Sequence, residues 1–157
     1  MESFRGRFTN KIDAKGRVSV PAKFRAVAVA QGLNGIFCFP SLNGGQFIEG
    51  CGPAFANTID QMLARLDPFS TERDMLASVL HGESAELMFD ADGRVILPDM
   101  LRDFAGITDE AVFVGAGERF QIWEPKAHAA FAVEARKQVP NFRAMLKAPP
   151  PTDGGGR

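Results

Sequence analysis

Apolar and polar positions alternate in short bursts along this chain, and the bursts come in two sets. In the first, Phe4, Phe8 and Ile12 share one side of a period-two stretch. Arg5, Arg7, Thr9 and Lys11 share the other. That pattern predicts a half-buried strand with a basic outer face. Asp13-Ala14-Lys15-Gly16 predicts a turn, because Asp bonds amides ahead of it and Gly16 accepts positive φ. Val18 and Val20 then alternate with Arg17 and Ser19. Strand, turn and strand predict a hairpin with Lys15 and Arg17 near its tip. Pro21 suits the first turn of a helix over 22–30, with Gly32 as its stop. Residues 36–39 are an apolar strand. The glycine-rich stretch 40–52 holds one more short strand at Gln46-Phe47-Ile48.

Residues 53–81 change period. Ile59, Met62, Leu63 and Leu66 recur at helical spacing over 54–66. Asp67-Pro68-Phe69 interrupts them. Thr71 and Asp74 resemble a capping box that opens a second apolar stripe of Met75, Leu76, Val79 and Leu80. From about Glu83 the first pattern returns. Ala85, Leu87 and Phe89 alternate with polar neighbours, Asp90-Ala91-Asp92-Gly93 turns the chain, and Arg94 to Leu97 alternates again. A helix follows Pro98 as far as Ala105, with Gly106 as its stop. Residues 111–114 and 119–123 are strands. Beyond Pro125 an alanine-rich helix carries Phe131, and Pro140 is expected to break it.

The two sets are copies. Residues 13–25 and 90–102, shifted by 77 positions, agree at seven of thirteen positions: Asp, Ala, Gly, Arg, Val, Pro and the final Arg. Internal repetition of this kind means that each unit buries its apolar face against another. Packing about a pseudo-two-fold axis would display both turns together and place Lys15, Arg17 and Arg94 on one surface. The expected organisation is a first unit at 4–52, a helical connector at 53–82, a second unit at 83–125, a C-terminal helical segment at 126–147 and a disordered tail at 148–157.

Charge separates the copies. The net charge is −1, which by itself favours no polyanion. Residues 1–25, however, hold seven basic and two acidic side chains, a balance of +5. The matching window 78–102 has a balance of −3, and Asp92 stands where the first copy has Lys15. Arg forks suit phosphate and guanine edges, so Lys15, Arg17, Arg94, Arg5 and Arg7 are the candidate DNA contacts. Asp13, Gly16, Asp90 and Gly93 organise the turns. A solvated Arg after a good turn is the plain alternative for either copy alone.

Other chemistry finds little support. Cys38 and Cys51 lack metal or redox spacing and are expected as reduced thiols of a cytoplasmic protein. His81 and His128 have no partner at metal or triad spacing, and Gly115-x-Gly117 is too short for a nucleotide fingerprint. No enzyme activity, catalytic residue, metal or cofactor is expected. No apolar run is long enough to span a membrane. Fourteen Phe and no Tyr put the aromatic mass into cores or interfaces.

The motif Asp13-Ala-Lys-Gly-Arg-Val-Ser-Val-Pro resembles the DNA-binding unit of the AbrB/SpoVT superfamily. The doubling, the opening Phe4-Arg5-Gly6 and the late Gly115-x-Gly117-x-Arg119-Phe120-x-Ile122-Trp123 are similar to the MraZ family of bacterial transcriptional regulators, over roughly residues 3–138. The resemblance implies a mixed α+β, mainly β fold: two swapped-hairpin β units forming a pseudo-two-fold barrel, with a helical connector and a C-terminal helix. It implies sequence-specific binding of double-stranded DNA at short direct repeats upstream of the protein's own division and cell-wall operon, usually as a repressor. It also implies a ring-shaped homo-oligomer on the nucleoid. The family's Asp-x-x-x-Arg element falls at Asp13/Arg17 and Asp90/Arg94. The alternative is an antitoxin-like or scaffold module of the same fold, although such antitoxins usually carry one unit and a long tail.

Overall fold

The computed structural model describes residues 2–147, so Met1 and the expected tail at 148–157 lie outside the described residues. The chain divides after Pro125 into two units. The first holds strands β1 (Arg7–Lys11), β2 (Arg17–Ser19), β3 (Gly35–Pro40), β4 (Ile48–Cys51), β5 (Ala85–Met88), β6 (Arg94–Ile96), β7 (Glu110–Gly115) and β8 (Phe120–Trp123). Among them run helices α1 (Ala22–Ala30), α2 (Pro53–Leu63), α3 (Thr71–Leu80) and α4 (Asp99–Ala105). This is the expected order β-turn-β-α-β-β, twice, with two helices between. Several boundaries shift by one to three residues; α2, for instance, ends at Leu63 and not at residue 66. β4 begins at Ile48, and Ser70 rather than Thr71 caps α3, its hydroxyl accepting from the Arg73 amide at 3.1 Å.

Strand pairing departs from the expected local hairpins. β1 and β2 share one isolated bridge, Ile12 to Val18, beside the turn. Beyond it they separate, and the Asn10 side-chain Nδ2 donates across the gap to the Ser19 carbonyl at 2.8 Å. β1 instead pairs with β7, and β2 with β6, each from the other copy. β5 likewise pairs with β3. The reason is burial. Ile12, Val18, Val20, Val95 and Leu97 are all interior, and a hairpin closed on itself would leave one face in water.

All pairs are antiparallel. Six strands form one sheet in the order β1-β7-β8-β4-β3-β5, and β2 and β6 form a separate two-stranded ribbon. The sheet is open, with β1 and β5 at its edges, so hydrogen bonding does not close the expected barrel. The ladders that would close it are diverted: β2 and β6 leave their neighbours to pair with each other. The registers repeat between copies. Phe8 faces Phe113 as Ala85 faces Cys38, and Asn10 faces Ala111 as Leu87 faces Ile36. Val18 faces its own equivalent, Val95, and Glu49 faces its own equivalent, Gln121. A pseudo-two-fold axis therefore passes through both pairs.

The main core lies where the copies meet. Phe24 of α1 sits edge-on to Phe4 at 5.4 Å and to Phe8 at 5.6 Å, and contacts Phe120 at 5.0 Å and Phe113 at 6.4 Å. The position equivalent to Phe24 is Leu101, also fully buried. A smaller cluster joins Phe39 and Cys51 of the sheet to Ile59, Leu63 and Leu80 of α2 and α3. Burial pushes the Cys51 thiol up to about 12 and the Cys38 thiol higher still, so both stay protonated and unreactive in the folded chain.

The second unit, from Lys126, holds all but the first residue of α5 (Pro125–Phe142) and a short 3₁₀ turn, Arg143–Met145. Pro140 does not break α5 as expected. It costs one backbone bond only three positions from the end. The side chains of Glu134, Gln138 and Asn141 are bonded in series along the helix on either side of it. Among the described residues no helix is long and apolar enough to cross a membrane.

Candidate functional site

Each turn is built from one carboxylate. In the first copy Asp13 Oδ1 accepts from the amides of Lys15 and Arg17, both at 2.9 Å, and Oδ2 accepts from Arg17 Nε at 2.6 Å. The backbone closes the loop, with the Asp13 amide donating to the Arg17 carbonyl and the Gly16 amide to the Asp13 carbonyl, both at 3.0 Å. The second copy repeats this. Asp90 Oδ1 accepts from Asp92 and Arg94 amides at 2.8 and 2.9 Å, and Oδ2 from Arg94 Nε at 2.9 Å. One Asp therefore shapes its turn and orients its Arg, which is why both residues persist four positions apart.

These bonds favour the ionised carboxylates. The Arg17 amide holds Asp13 below its usual 3.8, and the Arg94 amide does the same for Asp90. A carboxyl with a lowered folded-state pKa stabilises the fold above its unfolded value and loses that contribution as pH falls through the folded one. Asp13→Asn should therefore lower the urea midpoint at about pH 7, and the gap to wild type should narrow at about pH 2.

The two turns interlock across the axis. The Val20 amide donates to the Gly93 carbonyl at 3.1 Å, and the Leu97 amide to the Gly16 carbonyl at 2.9 Å. Gly16 and Gly93 have φ of +84° and +76°. A Cβ on Gly93 would lie 2.6 Å from the Arg25 guanidinium carbon, and one on Gly16 would lie 3.3 Å from Arg102 Nη1. Arg25 and Arg102 are the final identity of the repeat. Each leans from its helix over the other copy's turn, and Arg25 also donates to the Val20 carbonyl at 2.5 Å. Sequence alone assigns this pair no role. The signal is its retention: an Arg kept in both copies at a fixed distance from Gly has something to hold. Gly93→Ala should cost roughly 1–2 kcal/mol for the left-handed backbone alone, read as a lowered melting temperature, and should displace Arg25.

The ribbon's inner face is Val18 and Val95, both buried. Its outer face carries Arg17 opposite Ile96 and Ser19 opposite Arg94. Arg17 and Arg94 are thus diagonal neighbours, roughly 7–8 Å apart by strand geometry, with side chains about one-third exposed, at 35% and 31%. Lys15 is exposed in the first turn. The two terminal nitrogens of Arg17 meet no described partner, whereas Arg94 Nη2 lies 3.4 Å from Asp92. Arg5 and Arg7 are exposed but sit elsewhere. Arg7 faces Val114 at the far end of β1, and Arg5 bonds Ser3 beside the Gly115 turn. The structure puts Arg17 and Arg94 on one ribbon, with Lys15 in the turn that leads into it, and does not join Arg5 and Arg7 to them.

A doubled Asp-turn-Arg ribbon with this connector matches one family by sequence. A family profile described as "MraZ protein, putative antitoxin-like" matches residues 80–146. A protein of Parvibaculum lavamentivorans named "Transcriptional regulator MraZ" is 75% identical, with the whole of both chains covered. The chain belongs to the MraZ family. Equally named proteins of Methylocella silvestris and Beijerinckia indica are 45% and 43% identical, covering 94% and 96% of this chain and 90% and 91% of their own. His81 Nε2 meets Asp60 Oδ1 at 2.8 Å between α3 and α2, and no group of three or more His, Cys, Asp or Glu fit to hold a metal occurs among the described residues.

Proposed function

We propose that this chain is a sequence-specific DNA-binding transcriptional regulator that enters the major groove with the β2–β6 ribbon. The observation carrying this is the ribbon itself: two Arg side chains on one exposed face, each oriented through Nε by its own Asp, with the Arg17 fork left for an outside acceptor. A two-stranded ribbon fits the major groove, and an Arg fork pairs with guanine or grips phosphate. The names of the family relatives support the same reading. The cross-copy pairing is read as the swapped-hairpin arrangement.

The finer proposal is a repressor that binds short direct repeats upstream of its own division and cell-wall operon, in the cytoplasm on the nucleoid. It would act as a ring-shaped homo-oligomer. A chain of net charge −1 gains little from overall attraction, so several subunits on successive repeats would supply affinity through effective concentration. Lys15 and Arg17 carry most of the grip, Arg94 contributes less, and Arg5 and Arg7 serve as outlying phosphate contacts.

The test is a gel shift of wild type and Arg17→Ala on the DNA upstream of the protein's own gene, at two salt concentrations. Wild type should shift the fragment, less so at high salt, and the variant should shift it weakly. Equal binding by both proteins would sink the ribbon model. Charge asymmetry gives a gain-of-function arm. Asp92→Lys restores the first copy's residue and frees Arg94 Nη2, so it should tighten binding and steepen the log–log salt slope by about 0.9 for each phosphate gained. An antitoxin-like role, which the family description mentions, predicts that neither substitution changes activity.

A further inference from the structure

The outer face of the β2–β6 ribbon carries four side chains, Arg17 and Ser19 from the first copy and Arg94 and Ile96 from the second. Ile96 alone among them is apolar, and it is 59% exposed. It stands directly opposite Arg17, and its Cγ2 lies 3.7 Å from where a Cβ on Gly16 would be. Ile96 therefore borders the turn that presents Lys15. The repeat maps Arg17 onto Arg94 but Ser19 onto Ile96. Arg94 accordingly faces Ser19 where Arg17 faces Ile96, and the two halves of the face are unlike.

A single exposed Ile is ordinary on a protein surface. Here it stands inside the face that carries the two oriented arginines, so DNA gripped by Arg17 meets Ile96 as well. Among the groups that line the major groove, the 5-methyl of thymine is the apolar one. Directly opposed side chains of an antiparallel pair stand about 4.5–5.5 Å apart at Cβ, and successive base pairs are about 3.4 Å apart. With Arg17 on one base pair, Ile96 reaches the next.

We propose that Ile96 is a specificity-determining residue, packing on the 5-methyl group of a thymine at the base pair next to the one that Arg17 reads. Ser19 offers the neighbour of Arg94's base pair a hydroxyl, which bonds to any base edge, so methyl reading belongs to one half of the ribbon. The inference rests on the major-groove ribbon of the proposed function and adds the base that this half selects.

Deoxyuridine tests it, because it lacks the 5-methyl group and keeps thymine's hydrogen-bonding edge. Thymines of the fragment upstream of the protein's own gene are replaced one position at a time, and binding of the wild-type chain and of Ile96→Ser is measured by fluorescence anisotropy. One replacement should weaken wild-type binding by about 4-fold per engaged site, the equivalent of one buried methyl group. Ile96→Ser should bind the thymine fragment more weakly than wild type does and should not respond to that replacement. Its melting temperature should stay at the wild-type value, since the position is exposed and the first copy holds Ser there. Wild-type binding that no replacement changes would overturn the proposal, as would an Ile96→Ser protein that still loses affinity on the same replacement. If wild type ignored the upstream fragment altogether, the ribbon reading would fail and this inference with it. Binding that Arg17→Ala weakens but uracil does not would leave the ribbon in place and remove only the methyl contact.

Discussion

Alanine at Arg17 is expected to weaken binding to the upstream DNA by about 5- to 150-fold per engaged contact, the equivalent of ~1–3 kcal/mol for a bidentate Arg. Nothing else in the ribbon replaces it. Lys15 is a point charge without a fork, and Arg94 has one terminal nitrogen facing Asp92. Where several subunits hold one DNA, the losses compound. The salt slope should also shrink by about 0.9 for each phosphate contact removed. Arg94→Ala should lose less. Fluorescence anisotropy across a salt series, with both variants and the double variant, measures all three quantities. Equal losses for the two arginines would remove the asymmetry, and a variant with a changed melting temperature would point to the turn rather than to DNA.

Phe24→Ala is expected to cost about 3–5 kcal/mol of folding stability, a large share of the ~5–15 kcal/mol typical of a domain. Its ring meets Phe4 and Phe8 of its own copy and Phe113 and Phe120 of the other. Alanine opens a cavity where the copies interlock, and four rigid rings cannot collapse into it. Leu101→Ala, at the equivalent place, removes a smaller side chain and should cost about 2–5 kcal/mol. Urea unfolding gives both values. A loss below that of Leu101→Ala would mean that the aromatic cluster does not hold the halves together.

Much of this was legible in the residues. The repeat announced itself through Asp, Gly, Arg and Pro kept in order, and those four positions build the turn, orient the Arg and start the helix. Helices α1 and α4 fall where Pro21 and Pro98 place their starts. Pairing was less legible. A period-two pattern says that a strand has an inner face, but not which strand lies beside it. In a repeat, the matching strand of the other copy offers the same backbone groups as the local one. Arg25 and Arg102 show the same limit. Their retention was visible, but their targets lie across the axis, in the turn of the other copy.

The sequence by itself determined the chemistry of each turn, because a carboxylate reaching amides two and four positions ahead is a local event set by spacing and by a glycine with positive φ. It also determined the charge difference between the copies, since Lys15 against Asp92 needs no fold to be read. Only the tertiary structure decided that β2 and β6 leave their neighbours to form a ribbon, that the sheet stays open, and that Arg5 and Arg7 lie apart from the face that Arg17 and Arg94 share. The reason is that side-chain burial is a property of the whole. Each hairpin alone would expose Ile12, Val18 and Val20 or their equivalents, and the exchange of strands between copies puts all of them inside.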